Sequence, residues 1–430
     1  MSYSHCDKCI SHFVIFKIIH RPLKLIKKVN NITAVAIVGS YFSFSYFSIF
    51  ELFGIRAGVQ LVFVVIVCVL CLILMMHVKS IRIDAYAAYL GMLAIFVAIN
   101  KVEDSILYTL LYSLVVYFVL INSDVELRRK VIKFTSLALM ILASLAIVQF
   151  FVMLIFGSVI AKDLALFNDA YHGADRIILF DPSAYGTNEY SWLRLLGFTD
   201  LKSYKFGLFE FFNVRSFIHE PSLALSIFYL PVVATLVTKC SSRFVSAVIL
   251  VFCLLTFSWG IYLALAIAVI IKSIMSIRKR FPLMIFSFVF IALLFIYIFI
   301  PPDVAYQFDV DKEVKFESNL GRLMVISYAL HKEPQLVFGN SDLIRAPLGM
   351  MTYSFYYGGA VLFGACCVLF FKIIKWASNI NKMHGSQKIG VAMLMSYLMQ
   401  VLIFNEYGLI TPIGIITLGL LYRYLGDQYR

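Results

Sequence analysis

Charge is scarce in this sequence. Asp, Glu, Lys and Arg supply only 14% of 430 residues, against 62% hydrophobic side chains and a mean hydropathy of +0.90. A water-soluble chain of this length cannot hide that much apolar surface, which excludes an ordinary globular domain and indicates a polytopic membrane protein. A small-residue cleavage site is missing as well. Residues 1–31 carry Cys6, Cys9, Lys17, Arg21, Lys24, Lys27 and Lys28 but nothing that reads as a cleavable leader. This segment is expected on the cytoplasmic side, with 10–26 lying in the membrane interface. Cysteine is absent from both long polar stretches: Cys68, Cys71, Cys253, Cys366 and Cys367 fall in apolar runs and Cys240 in a short turn, so no structural disulfide is implied. Cys6-x-x-Cys9 has no second pair at zinc spacing and reads as a chance pair. Nor does His219-Glu-Pro-Ser-Leu223 supply the second histidine of a zinc-protease helix. No repeat of halves is visible, and few charges interrupt the apolar runs. Helices broken at the midplane around buried charges, the marks of many transporters, are therefore not expected.

The apolar runs are mostly about 15 to 25 residues long, the length of membrane helices and too long for barrel strands. The expected fold class is an all-α polytopic integral membrane protein of about 12 transmembrane helices with two long extracytoplasmic loops. The expected helices are 32–50, 57–76, 85–99, 105–121, 134–160, 221–237, two within 244–271, then 282–300, 350–371, 389–404 and 409–422. The run 244–271 is long for one span, and Ser258-Trp259-Gly260 near its middle is a candidate tight turn. Short connections after even-numbered helices hold the Lys and Arg clusters, which puts both termini in the cytoplasm. The formal charge of +13 is thus read as orientation and not as a nucleic-acid footprint. The chain divides into an N-terminal segment 1–31, helices one to five over 32–160, a loop over 161–220, helices six to nine over 221–300, a second loop over 301–349, and helices ten to twelve with a short tail over 350–430.

Both loops then lie on the outer face and can meet over the membrane. The first is rich in charges and aromatic residues and ends on Arg215-Ser-Phe-Ile-His-Glu-Pro-Ser222. There a cation, a histidine and a carboxylate fall within six positions, just before an apolar run that Pro221 is suited to open. The second loop carries Gly321-Arg322, His331-Lys-Glu-Pro334, Phe338-Gly339 and Arg345.

This layout resembles the O-antigen polymerase and O-antigen ligase superfamily of bacterial envelope polysaccharide enzymes. Four features carry the resemblance: Arg215 shortly before Glu220-Pro-Ser222 at the outer start of a helix; Thr256-Phe-Ser258 ahead of a helix in mid-chain; Gly321-Arg322 followed by Pro334 to Gly339; and Tyr356-Tyr-Gly-Gly359 opening the next helix. The resemblance spans roughly residues 215 to 364. It implies a GT-C-like membrane glycosyltransferase in the bacterial inner membrane. The enzyme would act on undecaprenyl-diphosphate-linked oligosaccharide as donor and acceptor, without a metal, a nucleotide sugar or any cofactor. A chain-length regulator is a further partner the family brings into question; nucleic acid is not one. Relatives, the ligases above all, often place a histidine near 342–353. This chain has Arg345 there and His331 as its nearest histidine, which favours polymerase over ligase.

The chemistry asks little. A departing diphosphate gains negative charge, and a guanidinium stays ionised and binds phosphate through two parallel hydrogen bonds. Arg215, Arg322 and Arg345 are the candidates for the diphosphate. The acceptor hydroxyl must lose a proton, and Glu220 or His219 stands nearest to Arg215 in sequence to take it; His331 is a further candidate. A carboxylate at a helix start is also stabilised as the anion, which lowers its basicity. Two other readings stay open: a ligase passing finished glycan to another lipid, and a flippase or transporter.

Overall fold

In a computed structural model of the chain, the described residues are 29–41, 56–76, 81–99, 104–165, 177–178, 200–201, 203–206, 209–212, 224–277, 350–378, 385–403 and 411–429. They are overwhelmingly helical. We label the helices α1 (29–41), α2 (Arg56–Met75), α3 (Ala85–Ile99), α4 (Asp104–Asn122) and α5 (Val125–Ala165). A π-helical segment, Leu225–Tyr229, continues directly into α6 (Leu230–Thr238). Then come α7 (Arg243–Leu255), α8 (Trp259–Ile277), α9 (Met350–Ser378), α10 (Gly385–Ile403) and α11 (Pro412–Tyr429). The expected helix 282–300 lies outside the described residues. Within the first polar loop two short antiparallel ladders are described: β1 (Ile177–Ile178) on β2 (Asp200–Leu201), and β3 (Ser203–Phe206) on β4 (Phe209–Phe212), with Lys205 opposite Glu210. β1 and β4 pack on α5.

Among the described residues, three stretches are long and apolar enough to cross a membrane: Gly58–Met75, Val125–Val152 and Gly358–Ala377. Apolar side chains also face outward along whole helix faces, as Leu61, Val65, Val69 and Leu72 do on α2. Such a surface fits contact with lipid tails. An apolar groove of about 520 Å³, lined by Cys68, Cys71, Leu114 and Phe118 among others, opens between α2, α3 and α4.

The centre of the bundle is the π segment with α6. Every residue from Ala224 to Ala234 is buried. α6 packs against α5, α7, α10 and α11, and the π segment against α7, α8 and α11. The π turn has a local cause. Pro231 brings no N–H, and its ring would strike the carbonyl four residues back. The chain widens just before it, so that the Leu230 N–H reaches the carbonyl of Leu225.

The run read as two helices, 244–271, is indeed interrupted. α7 stops at Leu255, Thr256–Ser258 form a turn, and α8 starts at Trp259. Phe257 sits at φ 51°, the left-handed region that aromatic residues rarely enter. Tyr262 holds the turn closed by donating to the Leu254 carbonyl at 2.7 Å. From the turn the two helices diverge, α7 onto α5 and α8 onto α10.

One end of the bundle collects the basic residues. The Arg82 N–H donates to Asn122 Oδ1 at 2.6 Å, tying the approach to α3 to the end of α4. Asp427 receives Arg128 Nη1 at 3.3 Å and Arg423 Nη2 at 3.0 Å, joining the start of α5 to the end of α11. Trp376 near the end of α9 packs on Tyr422, and Gln387 at the start of α10 donates to the Val237 carbonyl at 3.2 Å. These are the connections after even-numbered helices in the sequence reading, and they share one end. Cys240 lies there too; burial pushes its thiol up while Arg129 and Lys133 pull it down. Replacing Asp427 with Asn should leave two neighbouring, largely buried guanidiniums without their shared carboxylate. A loss of about 1–3 kcal/mol is expected, read as a lower thermal unfolding midpoint of the purified protein.

Three boundaries differ most from the hydropathy reading. α5 begins at Val125 and not at 134, α9 runs on to Ser378 and not 371, and α11 runs on to Tyr429 and not 422. In each case the helix continues through charged residues at which an apolar run ends. Arg and Lys are good helix formers, and Lys130–Glu126 and Arg423–Asp427 are i,i+4 ion pairs.

The largest departure is in α9. Gly359 has φ 58° and ψ −155°, outside any helix and in a region only glycine enters readily. In a straight helix Ser354 and Cys366 would lie about 18 Å apart. Here both stand at the Tyr89 hydroxyl, Ser354 Oγ hydrogen-bonded to Tyr89 Oη at 2.8 Å and the Cys366 thiol close by. The two arms, 350–358 and 360–378, therefore run back beside one another. The expected single helix 350–371 is corrected to this folded pair.

Candidate functional site

The residues singled out for chemistry, Arg215, His219, Glu220, Arg322, His331 and Arg345, lie outside the described residues. What is described is the framework that carries them. Glu220-Pro-Ser222 runs into the central π segment from two residues before Ala224. The second loop ends on the first arm of α9, five residues after Arg345.

The end of the bundle opposite the basic cluster holds the start of the central helix. α6 and α10 run antiparallel, in a register fixed by three contacts. Gln387 meets Val237, Ser396 Oγ meets Tyr229 Oη at 2.9 Å, and Tyr397 Oη meets Ser226 Oγ at 3.2 Å. Ser396 Oγ in turn donates to the Met393 carbonyl at 2.8 Å. All four hydroxyls in this set are buried. Tyr86 adds a bond to the Ile415 carbonyl at 2.7 Å near the start of α11. Thr411 caps α11, its hydroxyl accepting from the Gly414 N–H at 3.3 Å.

These groups can hold and orient but cannot move protons at neutral pH, because aliphatic and phenolic hydroxyls stay protonated there. Among the described residues no three His, Cys, Asp or Glu side chains gather as a metal site would need.

Sequence reasoning missed the hydroxyl set of Ser226, Tyr229, Ser396 and Tyr397 and the Tyr89–Ser354–Cys366 triangle. The available signal was a hydroxyl recurring inside apolar runs at helical spacing, as Ser226 and Tyr229 do. Against known proteins, the chain matches no family model, no curated protein and no solved structure.

Proposed function

We propose that the protein is a membrane glycosyltransferase of the O-antigen polymerase kind. It joins undecaprenyl-diphosphate-linked oligosaccharide repeat units at the outer face of the bacterial inner membrane. The twelve-span topology with both termini in the cytoplasm belongs to this proposal. So do the roles of Arg215, Arg322 and Arg345 on the diphosphate and of Glu220 or His219 as base. In the reaction, the bond between the donor's terminal sugar carbon and the diphosphate oxygen breaks as the acceptor hydroxyl attacks that carbon. The hydroxyl proton passes to the base, and undecaprenyl diphosphate leaves with the bonding pair, its charge matched by the guanidiniums.

One observation carries the reading. Three motifs of the resemblance border the irregular points of an otherwise helical bundle. Glu220-Pro-Ser222 leads into the π turn, Thr256-Phe-Ser258 makes the left-handed turn, and Tyr356-Tyr-Gly-Gly359 makes the fold-back. Departures of this kind cost about 1–3 kcal/mol each and concentrate at working sites. Inside a membrane, irregular backbone is tolerated where it is packed in protein or lines a cavity.

The same fold-back favours a second reading. Transporters use discontinuous helices, and α9 is one, contrary to the sequence expectation. A deletion strain separates the two. Under the enzyme reading, lipid-linked single repeat units accumulate on the outer face. Under the flippase reading, outward-facing units disappear. The topology has its own check: a reporter fused after Phe281 should read cytoplasm, and an external signal would break the two-span reading of 244–271.

A further inference from the structure

The groove between α2, α3 and α4 holds about 520 Å³, within the size range of ligand pockets. It follows α2 from Cys68 to Met75, about 10 Å of helix, with Ile83 and Phe118 on its other walls. Among the described residues that line it, none carries a charge, a hydroxyl or an amide side chain. Such walls suit a hydrocarbon chain and give a polar ligand nothing to bind. Left empty, they would forfeit packing contacts.

The groove opens at the basic end of the bundle. Met75 closes α2 there, and Ile83 stands just before α3. Arg82, the neighbour of Ile83, is fixed beside this mouth by a two-way clamp. Its N–H donates to Asn122 Oδ1 at 2.6 Å, and Asn122 Nδ2 donates back to its carbonyl at 3.1 Å. The clamp uses backbone alone, and the residue is exposed. Asp84 is engaged elsewhere, accepting from the Ala87 N–H at 2.9 Å and the Tyr117 hydroxyl at 2.7 Å. Among the described residues no carboxylate forms an ion pair with Arg82, Asp124 included. A held cation at the mouth of a hydrocarbon groove is the complement of an amphiphile with an anionic head. A second copy of the chain fits less well. A two-fold contact here would set α2 against the same face of its partner, and Arg56–Met75 holds no carboxylate for Arg82.

We propose that this groove binds one acyl chain of an anionic phospholipid, its phosphate held at the mouth by the Arg82 guanidinium. Arg suits the role because its planar fork grips phosphate through two hydrogen bonds, and basic pockets between membrane helices take anionic head groups. The lipid wedges α2 against α3 and α4. α2 has the most to gain, since 11% of Gly58–Met75 is buried against 39% of each of the other two spans. The inference stands whether or not the reaction assigned above is correct.

The test follows thermal unfolding of the purified full chain in mild detergent, titrated with phosphatidylglycerol and, as control, with phosphatidylcholine of the same acyl chains. Phosphatidylglycerol should raise the wild-type midpoint saturably and at lower concentration than phosphatidylcholine. Arg82→Gln keeps the backbone clamp and removes the charge. It should bind phosphatidylglycerol at least about 5-fold more weakly, the worth of one basic residue at an anionic lipid surface, and lose the preference between the two lipids. Val115→Phe fills the groove from a wall position that is 44% exposed. Its lipid-free midpoint should be no lower than wild type, and neither lipid should raise it further. Leu72→Phe repeats the block from the opposite wall. Equal protection of the wild type by both lipids would overturn the proposal, as would unchanged phosphatidylglycerol affinity in Arg82→Gln. A full phosphatidylglycerol shift retained in both Phe variants would take the lipid out of the groove. A lipid-free wild type that is dimeric, and monomeric as Val115→Phe, would give the groove to a second copy and overturn the lipid as its occupant.

Discussion

Arg215→Ala is expected to abolish long-chain glycan while the protein remains inserted and folded, leaving single repeat units on the lipid carrier. The effect should be large because the residue is assigned to charge that develops only as the glycosidic bond breaks. Removing one preorganised donor to such charge typically slows turnover by about 10²–10³. Polymerisation multiplies that loss, since each added unit repeats the slow step while other enzymes consume the carrier. Arg215→Lys should recover part of the activity. It keeps the charge but not the planar two-pronged grip on phosphate. The position belongs to a polar stretch of the sequence and not to an apolar run, so protein level should hold. Normal modal chain length in Arg215→Ala would remove the residue from the mechanism.

Gly359→Ala is the second large effect, and it acts through the backbone. At φ 58° and ψ −155° a Cβ meets its own chain, a strain of about 1–3 kcal/mol. The chain can escape by straightening α9, and straightening pulls Ser354 away from Tyr89 and Cys366. Gly358→Ala should act in the same direction, because a Cβ there runs into the Leu362 side chain. Both variants are expected to lower the unfolding midpoint and to lose glycan elongation. Gly364, in the second arm of the same helix, is the control. A Cβ there meets nothing within 4 Å, so Gly364→Ala should be neutral or slightly stabilising. If Gly359→Ala matched Gly364→Ala in both measurements, the fold-back would have no place in the function.

Much of the helical frame was legible in the sequence, because apolar length alone specifies it. α2, α3 and α4 begin and end within a residue of the hydropathy reading, and the interruption near Ser258 was visible as a small polar cluster in an overlong run. Helix ends failed wherever charge took over from hydrophobicity. Hydropathy stops at Arg128 or Arg423, but a backbone ladder does not, and the partners that hold those side chains, such as Asp427, come from remote sequence.

The internal breaks were harder. Gly358-Gly359 announces permissive backbone, yet nothing local says that the helix will reverse there. That depends on Tyr89, 265 positions away, offering a bond to Ser354. Pro231 likewise marks a disturbance without specifying a π turn as its remedy. For the candidate site, the sequence supplied the charged loop residues and the motif order. It did not supply the buried hydroxyl set, which becomes visible only once α6 and α10 are placed in register.

The most direct measurement of the central claim is a turnover assay. The purified wild-type chain is reconstituted in vesicles with undecaprenyl-diphosphate-linked repeat units as its sole substrate and no nucleotide sugar. A ladder of longer lipid-linked glycans, with one undecaprenyl diphosphate released per unit added, is the predicted result. Repeat units that stay single, whether they remain in place or merely cross the bilayer, would contradict it.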